Sequence, residues 1–182
     1  MISNVEINKD VKLSEHFSLG EMTKTSVKTA DGNIPSHVHI ENLRRLCHWL
    51  EMLREEWNRR YADVRCQKED GRCKMEDGRC QMEDGRCSHE EPIIINSGYR
   101  SPQVNKAVGG APTSNHLTGC AADIRCEGKE QAIRYACILL DISDESQEPF
   151  DELLIEQSAK SIWVHFAVRP KDNRRRVDFL KK

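Results

Sequence analysis

The chain of 182 residues contains no long apolar run. No window approaches the roughly 20 apolar residues that a membrane-spanning helix needs. The N-terminal segment MISNVEINKDVKLSEHFSL also has no apolar stretch of signal-peptide length. We therefore expect no membrane insertion, and a protein that is made and kept in the cytosol.

An excess of positive charge is also missing. Lys and Arg total 28, Asp and Glu total 30, and the formal net charge is -2. Because the chain has no global basic field, it lacks the usual means of holding nucleic acid. The one local basic run, Arg174, Arg175 and Arg176, is interpreted as a solvated tail. No nucleic-acid partner is predicted.

The eight cysteines include no CxxC pair, the spacing typical of structural zinc sites. Four of them recur every seven residues: Cys66, Cys73 and Cys80 begin the units CQKEDGR, CKMEDGR and CQMEDGR, and Cys87 follows the third unit. Each unit contains a glycine and no apolar pair at coiled-coil spacing, so a coiled coil is not predicted. We interpret residues 66–90 as a low-complexity insertion within a single domain of residues 1–182. Since no export signal is seen, reduced cysteines are expected.

Hydrophobic spacing predicts two main helices. Apolar residues recur at steps of three and four from His37 to about Arg60, and again over residues 129–140. Short apolar runs at 92–96, 120–124, 151–156 and 162–168 are typical of strands. A shorter helix from Glu15 to Met22, capped by Ser14, is also expected. The sequence thus predicts an α+β fold, with two main helices packed on a small, mainly antiparallel sheet.

Two histidines and one aspartate form the candidate metal site. His116 and Asp123 lie seven residues apart across a glycine-containing segment, so that a loop ligand and a strand ligand can converge on one ion. His165 lies on a predicted strand, on the same face as Trp163. Two histidines and a carboxylate form a common catalytic zinc set, which leaves a fourth position for water. From spacing alone, His165 also fits a packed core histidine.

Local motifs favour a metal ligand over a packed core histidine at His165. The segment SNHLTGCAAD at 114–123 has the form S-x-H-x-x-G-x-A-x-D, follows SGYRS at 97–101 and precedes WVH at 163–165. In this order the motifs resemble those of the M15 family of zinc peptidases, which share a fold with the hedgehog signalling domain. LSEHFSLGEM, the Asn42-Leu43 helix and FDELLIE at 150–156 are similar to the small bacterial and phage branch of that family. The resemblance covers nearly the whole chain except the repeat.

The resemblance implies a hedgehog- or DD-peptidase-like fold and a zinc-dependent peptidase acting on peptidoglycan stem peptides. Its activity would be that of a D-Ala-D-Ala carboxypeptidase or an L-Ala-D-Glu endopeptidase. Separately from the resemblance, a monomer is expected. Arg100 matches the arginine that binds the substrate and stabilises the oxyanion. Ser114 matches a position lining the substrate pocket, and Trp163 is expected to form a wall of the site. The matched zinc ligands are His116, Asp123 and His165.

The general base departs from the family pattern. Many members have a Glu three residues before the last histidine, where this chain has Ile162. Glu156 is the predicted substitute and Asp151 the second choice. Because of this departure, a zinc-bearing module that binds cell-wall peptide without cutting it is an alternative. A structural phage protein, with the repeat as an interaction arm, is another. An enzyme without a signal peptide would reach the cell wall after release, for example through a phage holin.

Overall fold

The computed structural model describes residues 10–61 and 90–181, together with the backbone of four two-residue strands between them. Helix α1 (Leu19–Met22) and the long helix α2 (His37–Tyr61) come first. The four short strands form two antiparallel pairs, β1 (Lys68–Glu69) with β2 (Arg72–Cys73) and β3 (Met82–Glu83) with β4 (Arg86–Cys87). The rest of the predicted insertion lies outside the described residues, and the single-domain organisation stays a prediction.

The remaining elements build one five-stranded sheet with the order β5-β6-β8-β7-β9. All neighbouring strands in it are antiparallel except β7 and β9. The predicted α+β fold, a mainly antiparallel sheet with two main helices, is confirmed. In chain order the elements are β5 (Ile95–Ser97), α3 (Pro102–Ala107), a 3-10 turn (Asn115–Thr118), β6 (Ala121–Cys126), α4 (Lys129–Ser146), β7 (Glu152–Gln157), β8 (Ile162–Ala167) and β9 (Arg176–Lys181).

Helices α2 and α4 cover one face of the sheet and form the core with it. Leu50 of α2, Ile138 of α4 and Val164 of β8 have no exposed surface. The Trp49 and Phe166 rings pack at a centroid distance of 5.3 Å. Because strand side chains alternate, the neighbours of Val164 project from the opposite face of the sheet. That second face is free to carry polar side chains.

Three expectations about element boundaries are wrong. Helix α1 begins at Leu19, and Ser18 caps it by accepting a hydrogen bond from the Glu21 amide. Ser14 instead donates a 2.6 Å hydrogen bond to Glu51 of α2. Helix α4 runs to Ser146, beyond the predicted end at 140, because Ile142 continues its buried face.

The third difference concerns the C-terminal basic run. Arg176 begins β9, which pairs in parallel with β7 over its whole length. The Arg175 and Arg176 amides donate to the carbonyls of Phe150 and Asp151, both at 2.9 Å. The interpretation as a solvated tail is therefore wrong, since the backbone of this segment is built into the sheet.

Among the residues that the structure describes, no helix has the length and apolar content needed to cross a membrane.

The burial pattern of α2 predicts that substitutions at two of its positions will affect stability very differently. Leu50 has no exposed surface, whereas Val38 on the same helix is 67% exposed. We expect Leu50→Ala to lower the free energy of unfolding by about 2–5 kcal/mol, through lost burial and the cavity left behind. Val38→Ala is the control and should change it by no more than about 0.5 kcal/mol. Urea unfolding measures both, and equal effects would contradict the assigned core.

Candidate metal centre

The three predicted metal ligands come from three different elements and meet on the face of the sheet opposite the helices. His116 lies in the 3-10 turn, where its amide donates to the Ser114 hydroxyl at 3.4 Å. Asp123 of β6 and His165 of β8 are direct cross-strand partners, and such partners project from the same face. All three side chains are buried.

Gly119 brings His116 into place. It ends the 3-10 turn with φ 72°, a left-handed conformation that side chains other than glycine rarely adopt. A Cβ atom at Gly119 would lie 2.6 Å from the His39 carbonyl oxygen of α2. The turn therefore packs directly on the backbone of α2. This contact restricts the position of the turn and of His116 within it.

One atom from each of the three residues forms a compact triangle. His116 Nε2 lies 3.2 Å from Asp123 Oδ1 and 3.3 Å from His165 Nδ1. The His165 Nδ1 to Asp123 Oδ1 distance is 3.0 Å. Tetrahedral zinc with bonds of about 2.0–2.1 Å places its ligand atoms about 3.3 Å apart. The triangle thus has the dimensions of three ligands around a single zinc ion.

The remaining polar atom of each ligand faces a partner outside the triangle. His116 Nδ1 is 2.6 Å from the Gly98 carbonyl oxygen, which can only accept, so Nδ1 carries the proton and Nε2 its lone pair. Asp123 Oδ2 accepts from the Arg100 guanidinium. His165 Nε2 faces Glu152 Oε2 at 3.5 Å. Outer partners of this kind orient metal ligands and fix their tautomers.

Charge coupling shifts the pKa of three of these groups. Burial alone would raise the pKa of Asp123, but the charges and hydrogen bonds of His116 and His165 hold it well below its usual range. Burial would lower the pKa of His165, but hydrogen bonds to Asp123 and Glu152 raise it to about 9. The His165 hydrogen bond, acting against burial, lowers the pKa of Glu152 to about 2. Both carboxylates are therefore ionised at neutral pH.

The triangle lies in a cleft of about 770 Å³. The cleft is also lined by Arg100, Ser114, Glu156 and Trp163, four further residues predicted from the sequence. Arg100 is oriented by a 2.7 Å hydrogen bond from its Nε to the Ser97 hydroxyl.

Asp151 is not among the residues that line this cleft. Its side chain has no exposed surface, and its carboxylate accepts from Arg174 at 2.7 and 2.8 Å. Asn115 Nδ2 donates to it at 2.7 Å, and Arg169 lies 2.9 Å away. Asp151 thus joins the C-terminal segment to the 3-10 turn, and both of its oxygens are paired with neighbouring side chains.

This chain departs from the family pattern at position 162, three residues before His165. In β8, residues 162 and 165 are an odd number of residues apart, so their side chains project from opposite faces. Ile162 accordingly belongs to the buried core cluster on the helix side. A Glu at 162 would point into that core, so position 162 of this chain cannot supply the base. Glu156 of β7 lies on the side of the sheet that carries the cleft.

Sequence reasoning missed several residues that line the cleft. Glu152 and Leu154 precede Glu156 at two-residue steps on β7. Strand alternation therefore indicates that all three side chains share one face of the strand. Asn115 adjoins His116 but carried no signal of its own. The sequence predicts a solvated tail for Arg174 and Arg176, and only the parallel pairing of β9 with β7 brings them to the cleft.

A buried triangle of two histidines and a carboxylate at the base of an open cleft is the arrangement of catalytic metal sites that keep a position for water. A family model described as Peptidase M15 matches residues 67–165, more than half of the chain and a span that contains all three triangle residues. The chain belongs to the peptidase M15 family, whose members are generally zinc-dependent. No curated protein matches it.

Two glycines test how the turn holds His116. Gly119 and Gly109 have nearly the same φ, 72° and 71°, but a Cβ at Gly109 meets nothing within 4 Å. We expect Gly109→Ala to lower stability by about 1 kcal/mol through backbone strain alone. Gly119→Ala should cost about 3 kcal/mol or more, because the contact with the His39 carbonyl is added. Thermal unfolding of the two variants measures the difference, and equal losses would contradict the close packing of the turn on α2.

Proposed function

We propose that this M15 peptidase is a zinc-dependent metallopeptidase that hydrolyses the stem peptides of peptidoglycan. The observation that carries the proposal is the triangle of His116 Nε2, Asp123 Oδ1 and His165 Nδ1, with sides of 3.2, 3.3 and 3.0 Å. These distances and the donor set fit zinc. The substrate class rests on the motif order SGYRS, SNHLTGCAAD and WVH.

Zinc held by these three residues would supply Lewis acidity and lower the pKa of water toward neutrality. Glu156 is the proposed general base, because it lines the cleft from β7 and position 162 faces the core. Its carboxylate accepts the proton of the attacking water and delivers it to the leaving amine. Arg100, oriented by Ser97, donates to the carbonyl oxygen as negative charge develops on it.

Ser114 and Trp163 are proposed to contact the peptide, since both line the cleft. Substrates with D-amino acids follow from the resemblance, and the bond is either D-Ala-D-Ala or L-Ala-D-Glu. A monomer suffices, because all of the proposed residues come from one chain. The protein would meet the cell wall after release from the cell, for example through a phage holin.

A zinc-bearing module that binds cell-wall peptide without cutting it is the second candidate. The observation that favours it is Ile162, where many family members have a glutamate. The two candidates differ in one measurable property, which is hydrolysis by the zinc-loaded protein.

We expect purified wild-type protein to contain one zinc per chain, and His116→Ala to lose both zinc and hydrolysis of purified peptidoglycan. The lost imidazole leaves two ligands, too few for a stable zinc site. His48→Ala is the control, because His48 is exposed on α2. Elemental analysis and chromatography of the released fragments measure the two properties. A folded wild type without zinc would contradict the metal site, and zinc without hydrolysis would favour the binding module.

The variant Glu156→Gln distinguishes loss of the general base from loss of metal binding. We expect it to retain zinc while hydrolysis falls by about 10²–10⁴-fold, because an amide cannot take the proton of water. Glu130→Gln removes the same charge from the exposed face of α4 and should hydrolyse at the wild-type rate. Steady-state rates with zinc content measured in parallel are the test. Wild-type hydrolysis by Glu156→Gln would remove Glu156 from the mechanism.

A further inference from the structure

Glu152 is the side chain that faces the outer nitrogen of His165. Its Oε2 atom lies 3.5 Å from His165 Nε2. The other ring nitrogen, Nδ1, belongs to the triangle and lies 3.0 Å from Asp123 Oδ1. In a neutral imidazole one nitrogen donates and the other has a lone pair, so a carboxylate beside Nε2 keeps the proton there and leaves Nδ1 for a metal.

Glu152 is itself held by three donors. Asn115 Nδ2 donates to its Oε2 at 3.0 Å. Its Oε1 lies 3.0 Å from Arg174 Nη2 and 3.4 Å from Arg176 Nη1. The side chain is only 13% exposed. With both oxygens occupied, Glu152 is placed to orient a neighbour and not to take a proton from water.

The contacts of Glu152 extend to the element that carries the other histidine. Asn115 is the residue before His116, and its Nδ2 also donates to the buried Asp151 at 2.7 Å. Arg174 pairs with Asp151 at 2.7 Å as well as with Glu152. One polar network therefore connects the 3-10 turn, β7 and the segment before β9, and it ends at the His165 ring.

We propose that Glu152 is a positioning residue, whose carboxylate accepts from His165 Nε2–H, sets the ring with Nδ1 toward the metal site and strengthens zinc binding. The inference rests on the proposed zinc site. It assigns to Glu152 a role different from that of Glu156, the proposed base. Outer carboxylates on metal-bound histidines typically change metal affinity by about 10–100-fold.

The test compares Glu152→Gln with Asp178→Asn. Asp178 lies on β9, contacts the same Arg176 at 3.3 Å and loses the same charge. It is paired in the sheet with Leu154 and not with a triangle residue. We expect Glu152→Gln to raise the zinc dissociation constant by about 10–100-fold in competition with a chelator, and Asp178→Asn to change it by less than about threefold.

A spectroscopic measurement separates positioning from general destabilisation. In zinc-loaded wild type labelled with ¹⁵N-histidine, the His165 Nε2–H proton should resonate downfield and exchange slowly with solvent. In Glu152→Gln it should move upfield and exchange faster, while Asp178→Asn leaves it unchanged. The metal-free melting temperatures of the three proteins should agree. If that of Glu152→Gln falls, Glu152→Asp decides, because it keeps the charge near Arg174 and withdraws the carboxylate from His165.

Unchanged zinc affinity in Glu152→Gln, or in Glu152→Asp where that variant decides, would overturn the inference, as would an equal loss in Asp178→Asn. An unmoved Nε2–H resonance would overturn it as well. A wild type that binds zinc and hydrolyses its substrate leaves the proposed function standing in each of these cases. A wild type that binds no zinc would overturn the zinc site and this inference together.

Discussion

The pairing of β6 with β8 is the constraint on which the rest of the centre depends. It places Asp123 directly opposite His165, so that two atoms of the triangle are set by backbone hydrogen bonds. A slip of one residue would turn His165 toward the helices and bring Val164 to the cleft, exchanging the polar and apolar faces. The packed core under Val164 and Phe166 therefore specifies the register, and through it the position of two of the three proposed ligands.

The third corner has a different physical origin. His116 lies on a short turn whose position depends on a glycine against the α2 backbone and on the Gly98 carbonyl at its ring. Strand pairing does not fix the position of His116, and the polar network around Asp151 fixes it instead. A carboxylate with no exposed surface is costly to bury alone, and two arginines and an amide offset that cost. Because the amide belongs to Asn115, the same contacts that satisfy Asp151 also hold the turn.

Much of this arrangement could be predicted from the sequence, because it is encoded locally. Spacing alone left His165 open as a packed core histidine, and the ordered motifs SGYRS, SNHLTGCAAD and WVH, through the family that they resemble, predicted that His116, Asp123 and His165 meet at one site. The C-terminal strand could not be found in the same way. The run of three arginines favoured a charged tail over the apolar alternation of RVDFL. The partner of β9 is β7, and β8 lies between the two in the chain, so the pairing is not local in sequence. The predicted helix cap at Ser14 was wrong for the same reason, because Ser14 contacts Glu51 of α2, which is distant in the sequence, and Ser18 caps the helix.

Strand periodicity also accounts for the use of two glutamates on one strand. Glu152, Leu154 and Glu156 share the face of β7 that lines the cleft, and Leu154 stands opposite His165. Four residues of extended chain separate the two backbone positions by about 13 Å, so one carboxylate cannot replace the other. Glu152 is fixed by Asn115 and Arg174 beside the outer edge of the His165 ring. Glu156 lies at the opposite end, across from Trp163. A chain without a glutamate at 162 can thus supply a proposed base and an orienting carboxylate from the strand next to its last ligand.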